Sequence, residues 1–281
     1  MKDNDQRWTL SGFADEIDPD PVVQLAVLQA LGASNVEVRG AWNTNVLDLS
    51  REQLTVLSNL ISERGMAVSA IASPVGKVDA DAPLEDEVAR LAMSIETAHR
   101  LGSRYIRIFS FYRRAGLAPA DIRDAVLVRM RAFADLAERE GVVLLHENEK
   151  LIYADTPERV LDVIESVGSD ALRVAWDSAN FVQVGVRPFT EGYALLRPHL
   201  EYFQVKDAIA ATGEVVPAGA GDGELLETLT ALRDDGYCGF VSLEPHLGST
   251  NSSGGFSGPV AFGEAARAFR DLTTKIGMVT R

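Results

Sequence analysis

Short apolar runs alternate with longer amphipathic stretches along the chain, and eight such alternations can be counted. The apolar runs predict strands at Thr9–Phe13, Asn35–Arg39, Ala67–Ala72, Tyr105–Ser110, Val142–Glu147, Leu172–Asp177, Tyr202–Lys206 and Gly239–Glu244. Helical periodicity covers Pro21–Leu31, Arg51–Glu63, Leu84–Leu101, Pro119–Glu140, Pro157–Val167, Glu224–Asp234 and Val260–Lys275, with a shorter helix near Pro188–Leu196. Eight such units predict an α/β fold, a closed parallel (β/α)8 TIM barrel.

The glycines that follow the predicted helices and the lack of a linker segment agree with this fold. Glycine follows five of the predicted helices, where a left-handed C-cap is favoured; these are Gly32, Gly65, Gly102, Gly141 and Gly236. No proline- or serine-rich linker interrupts the 281 residues, so we expect one TIM-barrel domain over 1–281. A doubly wound open sheet is the weaker alternative, because no Gly-x-Gly-x-x-Gly motif follows the first strand.

Composition narrows the class of protein. Hydrophobic residues make up 46% of the chain and charged residues 24%, as in ordinary globular enzymes. The single cysteine, Cys238, excludes an internal disulfide and a thiolate zinc cluster. The first seven residues lack the apolar region of a signal peptide and no run is long enough to cross a bilayer, so we expect a cytoplasmic protein without a membrane partner. The net charge of −14 disfavours nucleic acid as a partner.

Three strand-like runs in the second half of the chain end on an acid, at Glu147, Asp177 and Glu244, and a fourth carries an amide at Gln204. The carboxyl ends of barrel strands converge on one face, so these oxygens are expected to form a single site. Such donors favour one divalent metal ion, Mn2+ or Mg2+ rather than a structural zinc, with Co2+ or Zn2+ as alternatives for this site. The competing interpretation is that each acid caps a helix or pairs with an arginine.

Several segments of the second half resemble the xylose isomerase-like TIM-barrel superfamily, which contains sugar phosphate isomerases and epimerases. The segments that carry this resemblance are 146–149, 174–180, 202–208, 219–223 and 236–244. The resemblance implies a metal held by Glu147, Asp177, Gln204 and Glu244. Gln204 stands where histidine is usual in the family, and Asn180 stands where many members have another histidine.

The resemblance also implies a metal-dependent sugar isomerase or epimerase of carbohydrate metabolism. Its substrate would be a ketose, an aldose or a related keto-polyol, and a homo-oligomer is one possible assembly. Glu147 and Glu244 would then be catalytic, removing and returning a proton through an enediolate that the metal stabilises. Return to the neighbouring carbon isomerises a sugar, and return to the other face of the same carbon epimerises it.

Further residues are predicted from strand parity. Arg107, Lys206, His246, Glu149 and Asn180 are candidates for substrate binding, and Glu149 is the alternative to Glu147. Glu37 and Arg39 share parity, which predicts an internal ion-pair layer beneath the site. His146 has the opposite parity to Glu147 and is expected to be a hydrogen-bonded packing residue.

Glycine-rich segments at Gly219–Gly223 and before Gly258 follow the last two strands, where barrels often bind phosphate, although flexible connections are the plainer interpretation. Two other functions use the same site: a keto-polyol dehydratase, and a noncatalytic sugar-binding barrel. The superfamily also contains abasic-site endonucleases, which need several histidines and a basic surface, whereas this chain has four histidines and a charge of −14.

Overall fold

A computed structural model describes residues 7–248, 250–251 and 254–280. Within these ranges the strands of the barrel are β1 (Arg7–Gly12), β2 (Asn35–Val38), β3 (Ala67–Ala72), β4 (Tyr105–Ile108), β5 (Val143–Glu147), β6 (Leu172–Asp177), β7 (Leu200–Val205) and β8 (Phe240–Leu243). Pairing is parallel and runs from β1 to β8, then through β7, β6, β5, β4 and β3 to β2. A parallel bridge between Phe13 and Glu37 joins β1 to β2 and closes the ring. The predicted TIM barrel is confirmed.

Helices cover the outside of the barrel. They are α1 (Pro21–Ala30), α2 (Arg51–Glu63), α3 (Leu84–Leu101), α4 (Pro119–Glu140), α5 (Pro157–Val167), α6 (Ser178–Val182), α7 (Leu225–Asp234) and α8 (Gly258–Lys275). The predicted short helix near Pro188–Leu196 is a π-helix over Pro188–Tyr193 followed by a turn of α-helix at Ala194–Leu196. The five-residue α6 was not predicted from the sequence, because one turn is too short to show a helical period.

Helix ends follow the local sequence. Ser50 and Gln53 form a capping box at the start of α2, in which each side chain accepts a hydrogen bond from the other's backbone N–H. Gly102 and Gly141 end α3 and α4 in the left-handed conformation, as their positions predicted. None of the helices in the described ranges combines the length and apolar character needed to span a membrane.

The barrel interior is layered. Its lower part is an apolar and aromatic cluster in which Tyr105 and Phe240 pack against buried Ala70, Leu145, Ala175 and Tyr202. The alternate side chains of the strands join the much larger core between the barrel and the helices, which includes Trp8, Ile106, Trp176 and Phe203. Two residues further along β4, β5, β6 and β7, the inward positions are Arg107, Glu147, Asp177 and Gln204, all buried. The fold therefore places charged residues at the carboxyl-end mouth.

Candidate functional site

Three carboxylates meet at the mouth of the barrel. Glu147 ends β5, Asp177 ends β6, and Glu244 follows β8 directly. All three are buried, and one oxygen from each lies within 4.8 Å of the others. The structure thus brings together the three acids that the sequence analysis selected, while their chemical roles stay predictions.

Glu147 is held from three sides. The Oε2 atom accepts hydrogen bonds from Arg107 Nη1 and from Gln204 Nε2, each at 3.1 Å. The Oε1 atom accepts a bond of 3.2 Å from Asn180 Nδ2. The amide of Gln204 and the amide of Asn180 therefore both orient Glu147, and Arg107 supplies a positive charge beside it.

Asp177 is fixed by the backbone. Its Oδ1 accepts a hydrogen bond of 2.9 Å from the N–H of Asn180, so Asp177 is the N-cap of α6. Asn148 adds two bonds across the strands: its Nδ2 donates to the carbonyl of Asp177 at 2.8 Å, and its Oδ1 accepts from the N–H of Asp177 at 3.0 Å. The sequence analysis missed Asn148. An amide side chain directly after the last residue of a strand can form hydrogen bonds with the backbone of the neighbouring strand, where the backbone hydrogen bonds of the sheet end.

Lys206 bridges the other two acids. Its Nζ lies 2.6 Å from Asp177 Oδ2 and 3.1 Å from Glu244 Oε2. Burial raises the pKa of Asp177 to about 7, since Glu244 and Glu147 add to the effect and Lys206 only partly opposes it. For Glu244, burial also raises the pKa, but Lys206, His246 and Arg107 outweigh burial and hold this pKa well below the usual value. Glu244 is therefore a carboxylate at neutral pH.

A second group of possible metal ligands, Glu16, Glu244 and His246, adjoins the first. His246 Nε2 lies 3.2 Å from Glu16 Oε1 and 3.3 Å from Glu244 Oε1. Burial lowers the pKa of His246, but the two carboxylates outweigh burial and raise this pKa to about 9. Glu16, which follows β1 in the turn Ala14–Glu16, was missed by the sequence analysis because its partner lies 230 residues further along the chain.

Glu149, the predicted alternative to Glu147, lies at the rim. Its Oε2 is 3.3 Å from Lys77 Nζ, and Glu149 belongs to neither group of possible ligands in the described residues. Burial raises the pKa of Glu149, but Lys77 and Lys206 outweigh burial and lower it overall. Within the described part of the chain, the geometry therefore favours Glu147 as the acid of the central cluster.

The ion-pair layer expected beneath the site is not formed between Glu37 and Arg39. Glu37 does not pair with Arg39; its Oε2 accepts a hydrogen bond of 2.9 Å from Tyr202, whose hydroxyl also contacts Ser69 at 2.8 Å. Arg39 lies nearer the mouth, where its Nε donates to Asp15 at 2.8 Å. The strand rises about 3.3 Å per residue, so two positions of equal parity lie in different layers of the barrel and face different partners.

His146 is buried on the helix-facing side of β5, as its parity predicted. The expected hydrogen bond is not found: neither ring nitrogen has a partner among the residues that the structure describes. Burial lowers the pKa of His146 to about 4, so its ring is neutral at physiological pH.

The glycine-rich segment Gly219–Gly223 has its backbone donors occupied. The carboxylate of Asp207 accepts hydrogen bonds from the N–H groups of Gly219, Gly221 and Gly223 at 2.8, 3.0 and 2.8 Å. A side chain of the protein thus takes the position that an anion would need in this loop. In the loop after β8, Arg39 Nη2 donates to the carbonyl of Gly255 at 2.9 Å, while residues 249 and 252–253 lie outside the described ranges.

The donor set of the central cluster fits a hard divalent cation. Three carboxylates converge, and the Oε1 atom of Gln204 is a buried acceptor with no hydrogen-bond partner among the described residues. Asp177 Oδ2 also has no hydrogen bond there and lies beside the ammonium of Lys206. Oxygen donors of this kind are preferred by Mg2+ and Mn2+.

Comparison with known proteins agrees with the fold. A family model described as "Xylose isomerase-like TIM barrel" matches residues 25–272. A 2-epi-5-epi-valiolone 7-phosphate 2-epimerase from Actinoplanes sp. is 29% identical over 220 residues, which cover 76% of this chain and 78% of that protein.

Two solved structures extend the likeness to nearly the whole chain. A D-tagatose 3-epimerase-like protein superposes with a TM-score of 0.77 at 15% identity, covering 96% of this chain and 98% of the other. The probable 3-DHS dehydratase AsbF from Bacillus anthracis gives a TM-score of 0.73 at 17% identity, covering 94% of this chain and 98% of the other. The same fold is thus shared by proteins named for two different reactions.

Proposed function

The chain belongs to the xylose isomerase-like TIM-barrel family, and we propose that it is a divalent-metal-dependent epimerase or isomerase of a keto-sugar or related keto-polyol. The family match confirms the resemblance found in the sequence, and the relative named as an epimerase agrees with the predicted class of enzyme. The observation that carries the proposal is the convergence of Glu147, Asp177 and Glu244. The side chain of Gln204 bonds Glu147, and its amide oxygen is buried without a hydrogen-bond partner among the described residues.

These four residues would hold the metal, Mn2+ or Mg2+ by their chemistry. A divalent cation there supplies Lewis acidity, which polarises a carbonyl and a neighbouring hydroxyl of the substrate and makes the adjacent C–H more acidic. Every other part of the proposed reaction belongs to side chains of this chain.

Glu147 and Glu244 are the proposed acid and base. They come from β5 and from the end of β8, so the substrate carbon can be approached from two directions. Lys206 and His246 keep Glu244 ionised in the metal-free chain, and a bound cation would take over the part of Lys206, so Glu244 is available in its unprotonated form. Return of a proton by the opposite glutamate would invert the carbon, whereas return to the neighbouring carbon would move the carbonyl.

Arg107 and His246 adjoin these acids and would stabilise negative charge as it develops on substrate oxygens. Lys206 would do so from outside the metal cluster, because two of the acids that it contacts would hold the metal. The substrate would reach these acids past the charged side chains at the rim that are partly exposed. These are His246, Lys77 and Glu149, with 25%, 31% and 16% of their side chains exposed. Asn180, already bonded to Glu147, would position that base rather than bind substrate directly.

The test is proton exchange in heavy water. The full chain is loaded with Mn2+ and incubated in D2O with a panel of ketoses and keto-cyclitols, with and without phosphate groups. Epimerisation or isomerisation predicts a product one mass unit heavier than in H2O, and its formation should disappear in Glu244→Gln. A product that has lost water would establish the dehydratase instead. Binding without exchange across the panel would replace the enzyme with a sugar-binding protein.

A further inference from the structure

The ammonium group of Lys206 lies between two of the oxygens that the metal would need. We infer that Lys206 is an internal competitor of the divalent cation, which binds only after this side chain has left the cluster. This inference rests on the proposed metal site, and it adds a residue that sets how tightly that site binds.

The argument begins with distance. Lys206 Nζ is 2.6 Å from Asp177 Oδ2 and 3.1 Å from Glu244 Oε2, so it contacts two of the three carboxylates at once. Divalent cations bond oxygen at about 2.0–2.6 Å. An ion bonded to both oxygens would therefore lie within a few ångströms of a positive charge, in a buried site where water screens poorly.

Burial makes the competition strong. Lys206 is only 4% exposed, and Asp177 and Glu244 are more enclosed still. Taking a charge away from a buried pair leaves its partners uncompensated and is strongly unfavourable. A divalent cation can compensate them in its place, so the ammonium and the metal serve the same electrostatic role and exclude each other.

The other cations of the mouth are placed differently. Arg107 Nη1 bonds Glu147 at 3.1 Å, while its Nη2 donates to the carbonyl of Ser73 at 3.2 Å, which ties the guanidinium to the β3 side of the site. Arg39 approaches Glu244 only to 3.7 Å and is anchored on Asp15. Lys206 contacts the cluster through a single atom, its Nζ, which lies at the end of a flexible four-carbon chain. Its side chain is thus the one suited to swing away.

The experiment measures binding of Mn2+ by titration calorimetry to the metal-stripped full chain. Lys206→Met keeps an unbranched side chain that is one atom shorter and removes its charge. Lys150→Met is the matched control, because Lys150 is an exposed lysine three residues after the end of β5 whose Nζ donates to the amide oxygen of Gln183 at 3.0 Å. We expect Lys206→Met to bind Mn2+ at least about tenfold more tightly than wild type, and Lys150→Met to bind within about twofold of it, because only the first removes a buried competitor.

The outcomes separate the two proposals. Equal affinity of wild type and Lys206→Met, or weaker binding by the variant, would overturn the role of Lys206 and leave the metal site standing. If neither wild type nor Lys206→Met binds Mn2+, the proposed metal site and the role of Lys206 are both overturned.

A second measurement needs no variant, so it decides the question if Lys206→Met does not fold. Wild type is acetylated with an amine-reactive ester with and without excess Mn2+, and the modification of Lys206 is quantified by mass spectrometry against Lys150. Displacement predicts that Mn2+ increases the ratio severalfold. A ratio that stays the same or falls would contradict the inference.

Discussion

The two halves of the barrel mouth give different residues to the central cluster: its three carboxylates come from one half, and the two arginines beside them come from the other. The β1–β4 half contributes Arg39 and Arg107, whereas the β5–β8 half contributes Glu147, Asp177 and Glu244. Contacts cross the boundary between the halves: Arg107 reaches both Glu147 and Glu244, at 3.1 and 4.0 Å. The acids can therefore be buried as a group because the two arginines of the β1–β4 half and Lys206, which follows β7, compensate them together.

Removing an acid from the β5–β8 half should have the largest effect. Glu147→Gln or Glu244→Gln keeps the shape of the side chain but removes a proton-transfer group, so exchange into substrate in D2O should fall about 10²–10⁴-fold. Glu138→Gln is the control, because Glu138 is on α4 and contacts Ser169 at the surface. Exchange at the wild-type rate in both site variants would show that the acids serve only the architecture of the mouth.

Removing a cation from the β1–β4 half should act first on stability. Arg107→Met leaves the buried carboxylate of Glu147 without its positive partner, and we expect the free energy of unfolding in urea to fall by about 3–5 kcal/mol. Arg100→Met, which breaks an exposed pair with Glu96, should lower it by at most about 1 kcal/mol.

The double variant Arg107→Met/Glu147→Gln tests whether the loss comes from the stranded charge. It should recover a clear part of the loss, because the amide needs no counter-charge. If the losses of the two single variants add in the double variant, Arg107 stabilises the protein by packing over Phe13 and Phe109 and not by compensating Glu147.

The site residues of the β5–β8 half were easier to predict from the sequence than those of the β1–β4 half. An acid at the end of an apolar run is a local pattern, so Glu147, Asp177 and Glu244 could be selected one strand at a time. The fold followed in the same way, from eight local alternations and the glycines between them. Three of the four proposed metal ligands are thus found near one another by a rule that needs only strand ends.

The partners of these acids could not be assigned in this way. Strand parity put Lys206 and His246 at the mouth, but it could not show that Lys206 bridges Asp177 and Glu244. Glu16 and Asn148 were missed because their significance depends on contacts with distant segments. Parity also failed to separate layers, which is why Glu37 and Arg39 were expected in one ion-pair layer although they have different partners. Contacts between strands depend on register and depth, and neither is local.

Glu37 is a buried acid of the β1–β4 half, on β2. It can be compared with the acids of the mouth to learn what burial costs a carboxylate that has no ion pair as close as theirs. Burial raises its pKa to about 8 from an ordinary 4.5, with Arg107 opposing the shift only in part. Between about pH 4.5 and 8 the folded chain keeps a proton that the unfolded chain releases, so this residue lowers stability as the pH rises, by up to about 1.4 kcal/mol per unit.

Replacing Glu37 removes that dependence. The unfolding free energy of Glu37→Gln, relative to wild type, should therefore increase from about pH 5 to about pH 8 in urea denaturation. A difference that stays constant across this range would show that Glu37 is already ionised in the fold, with Arg107 as its partner. The exposed Glu138→Gln variant should give a flat difference.

The smallest effect concerns His146, which precedes Glu147 but faces the helices instead of the mouth. The buried ring nitrogens lack hydrogen bonds among the described residues, and its pKa is lowered to about 4. Leaving such groups unsatisfied costs about 1–3 kcal/mol, so His146→Leu should raise the melting temperature at neutral pH by a few degrees, roughly 2–4 °C per kcal/mol.

The advantage of His146→Leu should grow on acidification. Between pH 6.5 and about 4 the unfolded chain protonates His146 while the folded chain does not, so wild type loses stability as the pH falls and the variant lacks this loss. His99→Leu, at the surface end of α3, is the control and should bring no gain. A lower melting temperature in His146→Leu would mean that the imidazole stabilises the strand. The two faces of β5 would then both depend on polar contacts, and the contrast between mouth and helix layer would be lost.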